Sequence, residues 1–192
     1  MGRSEPTRSN RKHVLVEAAA RCFQRDGFAA ASMRDIAAEA GMQTASIYYH
    51  FGSKDDLFVA VHEEGLRLIT ESVGRVVADT EPGWQQLEAV CVAHLTTLLE
   101  GGDMFKAVMR DIPADFTEKE LITKMRDEYE GIFTTVIEDL DLPRGTDRRH
   151  LRLMLLGAMN WCFTWYRPGG AAPAAIAREF VGYLRTGVLE AP

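Results

Sequence analysis

Apolar residues recur along this chain at three- and four-residue spacing from Val14 to Leu184, and beyond Pro82 no run alternates in the two-residue period of a half-buried strand. Val14, Leu15, Ala18, Ala19, Cys22 and Phe23 form one face of a helix predicted over 11–25, ended by Asp26-Gly27. Phe28 and three alanines then connect to a short helix whose apolar stripe is Met33, Ile36, Ala37 and Ala40. A third segment places Ala45, Ile47 and Phe51 inward. After Gly52-Ser53, the series Leu57, Phe58, Val61, Leu66, Ile69, Val73 and Val77 marks a long connecting helix that stops at Thr80-Glu-Pro-Gly83. Breaks at Gly101-Gly102, Pro113, Pro143 to Gly145 and Arg167 to Gly170 divide the remainder into helices near 83–100, 103–111, 116–140, 146–167 and 173–188. The expected fold is all-α with about nine helices. A mobile arm (1–9) precedes a three-helix unit (10–54), and a larger helical domain (55–192) follows.

Residues 32–54, SMRDIAAEAGMQTASIYYHFGSK, concentrate helix signals and exposed hydrogen-bonding groups. Ser32 stands at an N-cap position with Asp35 in the first turn, where a hydroxyl oxygen can accept a backbone N–H and a carboxylate meets the positive helix end. Gly41 suits the left-handed residue that ends a helix. A second short helix carrying Gln43, Thr44, Ser46, Tyr48, Tyr49 and His50 on its polar side completes a helix-turn-helix, a motif that puts the start of its second helix into the major groove of DNA. Gln43 and Thr44 are placed to contact base edges, and Tyr49, His50 and Lys54 to contact phosphates. Ser32, Arg34, Ser46 and Tyr48 complete the expected DNA-facing set. Tyr48 has an alternative as a packing residue with a wet hydroxyl. Lys54 has an alternative as a solvated first-turn lysine, but a cation there opposes the macrodipole of the helix it opens, which favours the phosphate contact.

Ser32 to Gly41, followed by Ser46-Ile-Tyr-Tyr-His-Phe-Gly-Ser-Lys54 and Leu57, resembles the TetR family of transcriptional regulators over about the first quarter of the chain. The resemblance implies a homodimer that binds a double-stranded DNA operator and answers to a small-molecule effector. Gln43 and Thr44 depart from the serine and basic residue common at those positions, which changes the expected operator sequence and leaves the binding mode as it is.

The net charge of −6 fits a DNA binder once it is divided along the chain. Residues 1–54 hold eight basic and five acidic side chains, a net of +3, whereas the remainder holds 14 and 23, a net of −9. An arginine-bearing arm can enter a minor groove, although a frayed terminus accounts for it as well. No apolar run approaches the ~20 residues of a membrane span and the N-terminus lacks a secretory h-region, so no membrane is expected and residence is cytoplasmic. Cys22, Cys91 and Cys162 have no disulfide or metal-ligand spacing and read as buried hydrophobes; no metal and no cofactor are expected.

Leu151 to Gly170, LRLMLLGAMNWCFTWYRPGG, is apolar on nearly every helical face, so it must be covered on more than one side. Part of that cover is expected from a second copy through the last two long helices, including the stripe Ala174, Ile176, Phe180, Val181 and Leu184. The ending Trp161 to Gly170 resembles acyl-CoA-responsive regulators of fatty-acid and sterol catabolism within the same family. That resemblance implies an acyl-CoA thioester or another apolar anion as effector. Phe105, Met109, Phe133, Met154, Met159, Trp161 and Trp165 are the candidate lining, with Arg110 or Arg167 meeting its anionic end; the phenylalanines and methionines serve equally as plain core. The tryptophans can instead be dimer-core aromatics, and Arg167 a cation at a helix C-terminus. A DNA-binding dimer without effector is an alternative. An all-α enzyme using Cys162 or His94 has no recognisable nucleophile, base and orienting group behind it.

Overall fold

A computed structural model describes residues 8–110 and 112–189. Among the described residues there are nine helices and no strand: α1 (Arg8–Ala30), α2 (Met33–Glu39), α3 (Thr44–Tyr48), α4 (Lys54–Asp79), α5 (Trp84–Glu100), α6 (Gly102–Val108), α7 (Lys119–Glu138), α8 (Arg148–Trp165) and α9 (Pro173–Leu189). Residues 1–7 of the expected arm lie outside the described residues, and Arg8 and Ser9 already belong to α1. None of the described helices is long and apolar enough to cross a membrane.

The helices form two compact units. The first runs through Gly65 and takes in Gly102–Thr123; the second comprises Leu66–Gly101 and the chain from Lys124 onward. This division differs from the single boundary expected at residue 54, because α6 returns to pack on α1 and joins the first unit. The approach of α4 to α6 is close: a Cβ at Gly65 would meet Val108 Cγ2 at 2.8 Å.

In the first unit, the apolar face of α1 supplies Leu15, Ala18, Ala19, Cys22 and Phe23, all with 1 % exposure or less. Ile36 of α2, Ile47 of α3 and Leu57, Phe58 and Val61 of α4 are likewise buried in this unit. Phe23, Phe28, Phe58 and Phe116 stack edge-on or tilted, with ring centroids 4.8–5.8 Å apart. Gly27, with φ 80° and ψ 165°, breaks α1 where Asp26-Gly27 predicted its end, and one further turn follows to Ala30.

In the second unit, α5 packs against α8 and α9, and Leu87, Val90, Cys91, Leu95, Phe133, Met159 and Ala177 are fully buried. Loose helix ends are closed by side chains. Gln86 Nε2 donates to the carbonyls of Val77 (3.1 Å) and Thr80 (2.7 Å) at the end of α4. The Arg148 guanidinium donates to the Ile137 and Leu140 carbonyls at the end of α7, and Asp147 caps α8 by accepting from the His150 N–H at 2.9 Å. Such contacts satisfy carbonyl and N–H groups that a helix terminus leaves without an internal partner.

Candidate nucleic-acid interface

Within the helix-turn-helix, both ends of α2 are closed by capping. Ser32 takes an extended conformation, and its Oγ accepts the Asp35 N–H at 3.2 Å while the hydroxyl donates to the Asp35 carboxylate at 2.5 Å. At the other end of α2, the Met42 N–H reaches the Ala37 carbonyl (2.8 Å) and the Gly41 N–H the Ala38 carbonyl (3.0 Å). That pair is a Schellman closure, and it needs the left-handed φ of 65° that Gly41 supplies. Gln43 occupies the N-cap position of α3 but its side chain makes no capping hydrogen bond.

α3 is five residues long and is anchored by Ile47, with 0 % exposure, followed by Phe51 in the core. Ala45, expected inward, is exposed, because so short a helix buries a single position of its length. Its outer side presents Gln43, Ser46, Tyr48 and Tyr49, with Thr44 and His50 half-buried at the margin. Tyr48 and Tyr49 are 55 % and 68 % exposed, which separates Tyr48 from the packing alternative. Tyr49 and His50 meet edge to face at 5.3 Å. Arg34 is exposed on α2.

A charged link also joins α2 to α1. Glu39 accepts Arg21 Nε at 2.8 Å and lies 3.5 Å from Arg25 Nη1, and the Arg21 guanidinium foremost holds the Glu39 carboxyl below the usual carboxylate range. Sequence spacing gave no sign of this link between helices. Lys54 stands apart from the expected phosphate-facing group: its ammonium donates to the carbonyls of Phe28 (2.7 Å), Ala31 (2.9 Å) and Ala29 (3.3 Å), and it sits 4.4 Å from the Phe28 ring centroid. The interaction that its place in the first turn required lies within the protein.

The candidate effector residues are divided between the two units. Phe105, Met109 and Arg110 belong to the first unit, where Phe105 is buried, Met109 half-buried and Arg110 donates to the Phe23 carbonyl at 3.3 Å. A cavity of about 420 Å³ beside the break at Gly27 has Arg110, Asp26 and Phe58 among its walls. The rest belong to the second unit. Phe133 is wholly buried against His94 and Tyr129. Met154, Trp161 and Trp165 are exposed at 59, 66 and 45 %, on the α8 side away from Leu155, Leu156 and Met159. Met154 also edges an apolar groove of about 350 Å³ with Phe180, Tyr183 and Leu184. Arg167 folds back to donate to the Tyr166 (2.9 Å) and Thr164 (3.4 Å) carbonyls at the end of α8.

The three cysteines are buried free thiols, and burial pushes Cys162 up to about 11. His94 bonds to Tyr129 and Asn160 within the core of the second unit.

Residues 15–61 match the family described as bacterial regulatory proteins, tetR family, and residues 80–188 match the tetracyclin repressor-like C-terminal domain. The HTH-type transcriptional repressor KstR2 of Rhodococcus jostii (strain RHA1) is 26% identical over 193 residues, covering 94% of this chain and 92% of that protein. The nicotine-responsive transcriptional repressor HdnoR of Paenarthrobacter nicotinovorans is 39% identical over 72 residues, which are 38% of this chain and 37% of that protein. The crystal structure of AibR in complex with isovaleryl coenzyme A and operator DNA superposes with a TM-score of 0.78 at 25% identity, covering 90% of this chain and 96% of AibR.

Proposed function

The chain belongs to the TetR family of bacterial regulatory proteins, and from that premise we propose that it is a repressor that leaves its DNA operator when an acyl-CoA thioester binds. The outward set Gln43, Ser46, Tyr48 and Tyr49 carries the DNA half of this reading, standing on a helix fixed by the buried Ile47. Gln43 and Thr44 read base edges, and Arg34, Tyr49 and His50 hold phosphates. The protein acts in the cytoplasm, and catalysis has no part in this reading.

Two copies pair through the exposed side of α8 and α9. Leu153, Met154, Trp161, Trp165 and Tyr183 are large apolar side chains 43–70 % exposed, and a solvated surface of that kind is what a partner subunit covers. Of the stripe on α9, Ile176, Val181 and Leu184 are buried within the chain, which leaves Ala174 and Phe180, joined by the exposed Tyr183 from outside the stripe, to the pair. A dimer presents two motifs to successive major grooves, about 34–36 Å apart per turn of DNA. Coupling of ~1–3 kcal/mol between effector and operator suffices to lower DNA affinity about 5–150-fold.

Support for the effector class comes from AibR, whose crystal structure holds isovaleryl coenzyme A. The experiment is to select duplexes from a random pool with the purified protein, then titrate the bound complex with acyl-CoAs of short, long and ring-bearing chains. Release of DNA by one class identifies the effector. Failure of every acyl-CoA to bind or to release DNA ends the acyl-CoA reading and leaves DNA binding intact.

A further inference from the structure

We infer that Lys54 is a positioning residue for DNA recognition, closing the helix-turn-helix at its base instead of touching DNA. The geometry is specific. A lysine ammonium has three donors and no acceptor, and here three carbonyl oxygens lie within 2.7–3.3 Å of it. Those carbonyls belong to Phe28, Ala29 and Ala31, in the stretch that follows the break of α1 at Gly27. The Phe28 ring lies 4.4 Å from the same nitrogen and adds a cation–π contact.

Ala31 is the residue before the Ser32 cap, and Lys54 is the first residue of α4 after Ser53. One side chain therefore joins the backbone entering the motif to the backbone leaving it, and residues 32–53 form a loop held at its stem. α2 and α3 inherit their placement from that stem, so the angle at which Gln43 and Tyr49 are offered depends on a residue that contacts neither. An ammonium satisfied by three acceptors has no donor left for a phosphate oxygen. The three carbonyl contacts also offset the cost of a cation at the positive start of α4, where Asp55 and Asp56 are the favourable first-turn charges.

The inference rests on the DNA-binding reading, and the experiment keeps the two apart. Full-length wild type, Lys54→Met and Lys54→Arg are compared on the duplex that the wild type selects from a random pool and on a scrambled duplex, across a range of salt. A positioning role predicts that Lys54→Met loses discrimination between the two duplexes by about tenfold, the worth of one good base contact. The slope of log affinity against log salt stays unchanged, because no phosphate contact is lost. Lys54→Arg does not restore discrimination, since a planar fork cannot aim three donors from one atom. Amide exchange across residues 32–53 quickens in Lys54→Met while exchange in α5 is unchanged. A slope reduced by about 0.9 with both duplexes weakened equally, and rescue by arginine, would identify a phosphate contact and overturn the inference. Lost thermal stability with discrimination and slope intact would overturn it too, leaving a purely structural lysine. A wild type that selects no duplex overturns the DNA-binding reading itself.

Discussion

His94 Nδ1 on α5 stands 2.6 Å from the Tyr129 hydroxyl on α7, and Nε2 of the same ring faces Asn160 Oδ1 at 3.2 Å. A neutral imidazole satisfies both contacts, with Nδ1 accepting from the phenol and Nε2–H donating to the amide oxygen. Burial, weakly opposed by the Asn160 hydrogen bond, lowers the His94 pKa to about 4 from an ordinary 6.5. Between those values the unfolded chain binds a proton that the folded chain refuses. Stability is thus complete above pH 6.5 and declines as pH falls toward 4, by up to about 3 kcal/mol. Denaturant midpoints at pH 7.5 and 4.5 measure it, and His94→Gln should flatten the pH dependence in this window.

Gly41 is held at φ 65° by the closure of α2, with open space where a Cβ would point. Gly41→Ala should therefore cost about 1–2 kcal/mol through backbone strain alone, without any clash. Gly41→Asn should cost less, because asparagine tolerates the left-handed region. Urea unfolding of the three proteins ranks them, and an alanine variant as stable as wild type would contradict the strain account.

Gln43→Ala should weaken binding to the preferred duplex by about 1–3 kcal/mol while leaving random DNA nearly unaffected. Its side chain is exposed and makes no capping bond, so truncation leaves α3 in place. Gel-shift titrations on both duplexes decide the matter. Equal losses on the two would remove Gln43 from base reading.

Trp161→Glu should yield a monomer that remains folded. Trp161 is 66 % exposed in the single chain, so the substitution leaves the core of the second unit untouched and places a charge in the proposed interface. Sedimentation at micromolar concentration reads the mass, and circular dichroism reads the helix content. A wild-type protein that sediments as a stable monomer excludes the interface altogether.

The helix order and the motif were legible because their signals are local. Ser32, Gly41 and the 3.6-residue apolar period act within one turn of themselves, and the ends of α2 follow from them. Interactions that depend on backbone atoms far along the chain left no trace in the residue pattern. Lys54 is the clearest case, since its acceptors are carbonyls of Phe28, Ala29 and Ala31, which any residue would provide. Arg167 reads equally as a ligand-facing cation or a helix terminator until its two carbonyl partners are seen. The return of α6 to α1 is likewise a long-range event, and no local pattern announces it. Apolarity on every face of α8 showed that it must be covered, but could not divide the residues between core and partner. Met159 and Trp161 are near neighbours in sequence, and one is fully buried while the other is open to solvent.

The exposed tryptophans of α8 make the chain its own optical reporter. Of the three tryptophans in the sequence, Trp161 and Trp165 lie on the surface assigned to pairing and Trp84 is half-buried at the start of α5. Dissociation on dilution would move two of the three indoles from a dry contact into water, shifting emission to the red without any added dye. In a Trp84→Phe background the whole emission would come from that face. A spectrum recorded against protein concentration then gives the association constant directly, and the same signal followed in time gives the rate at which the two copies part.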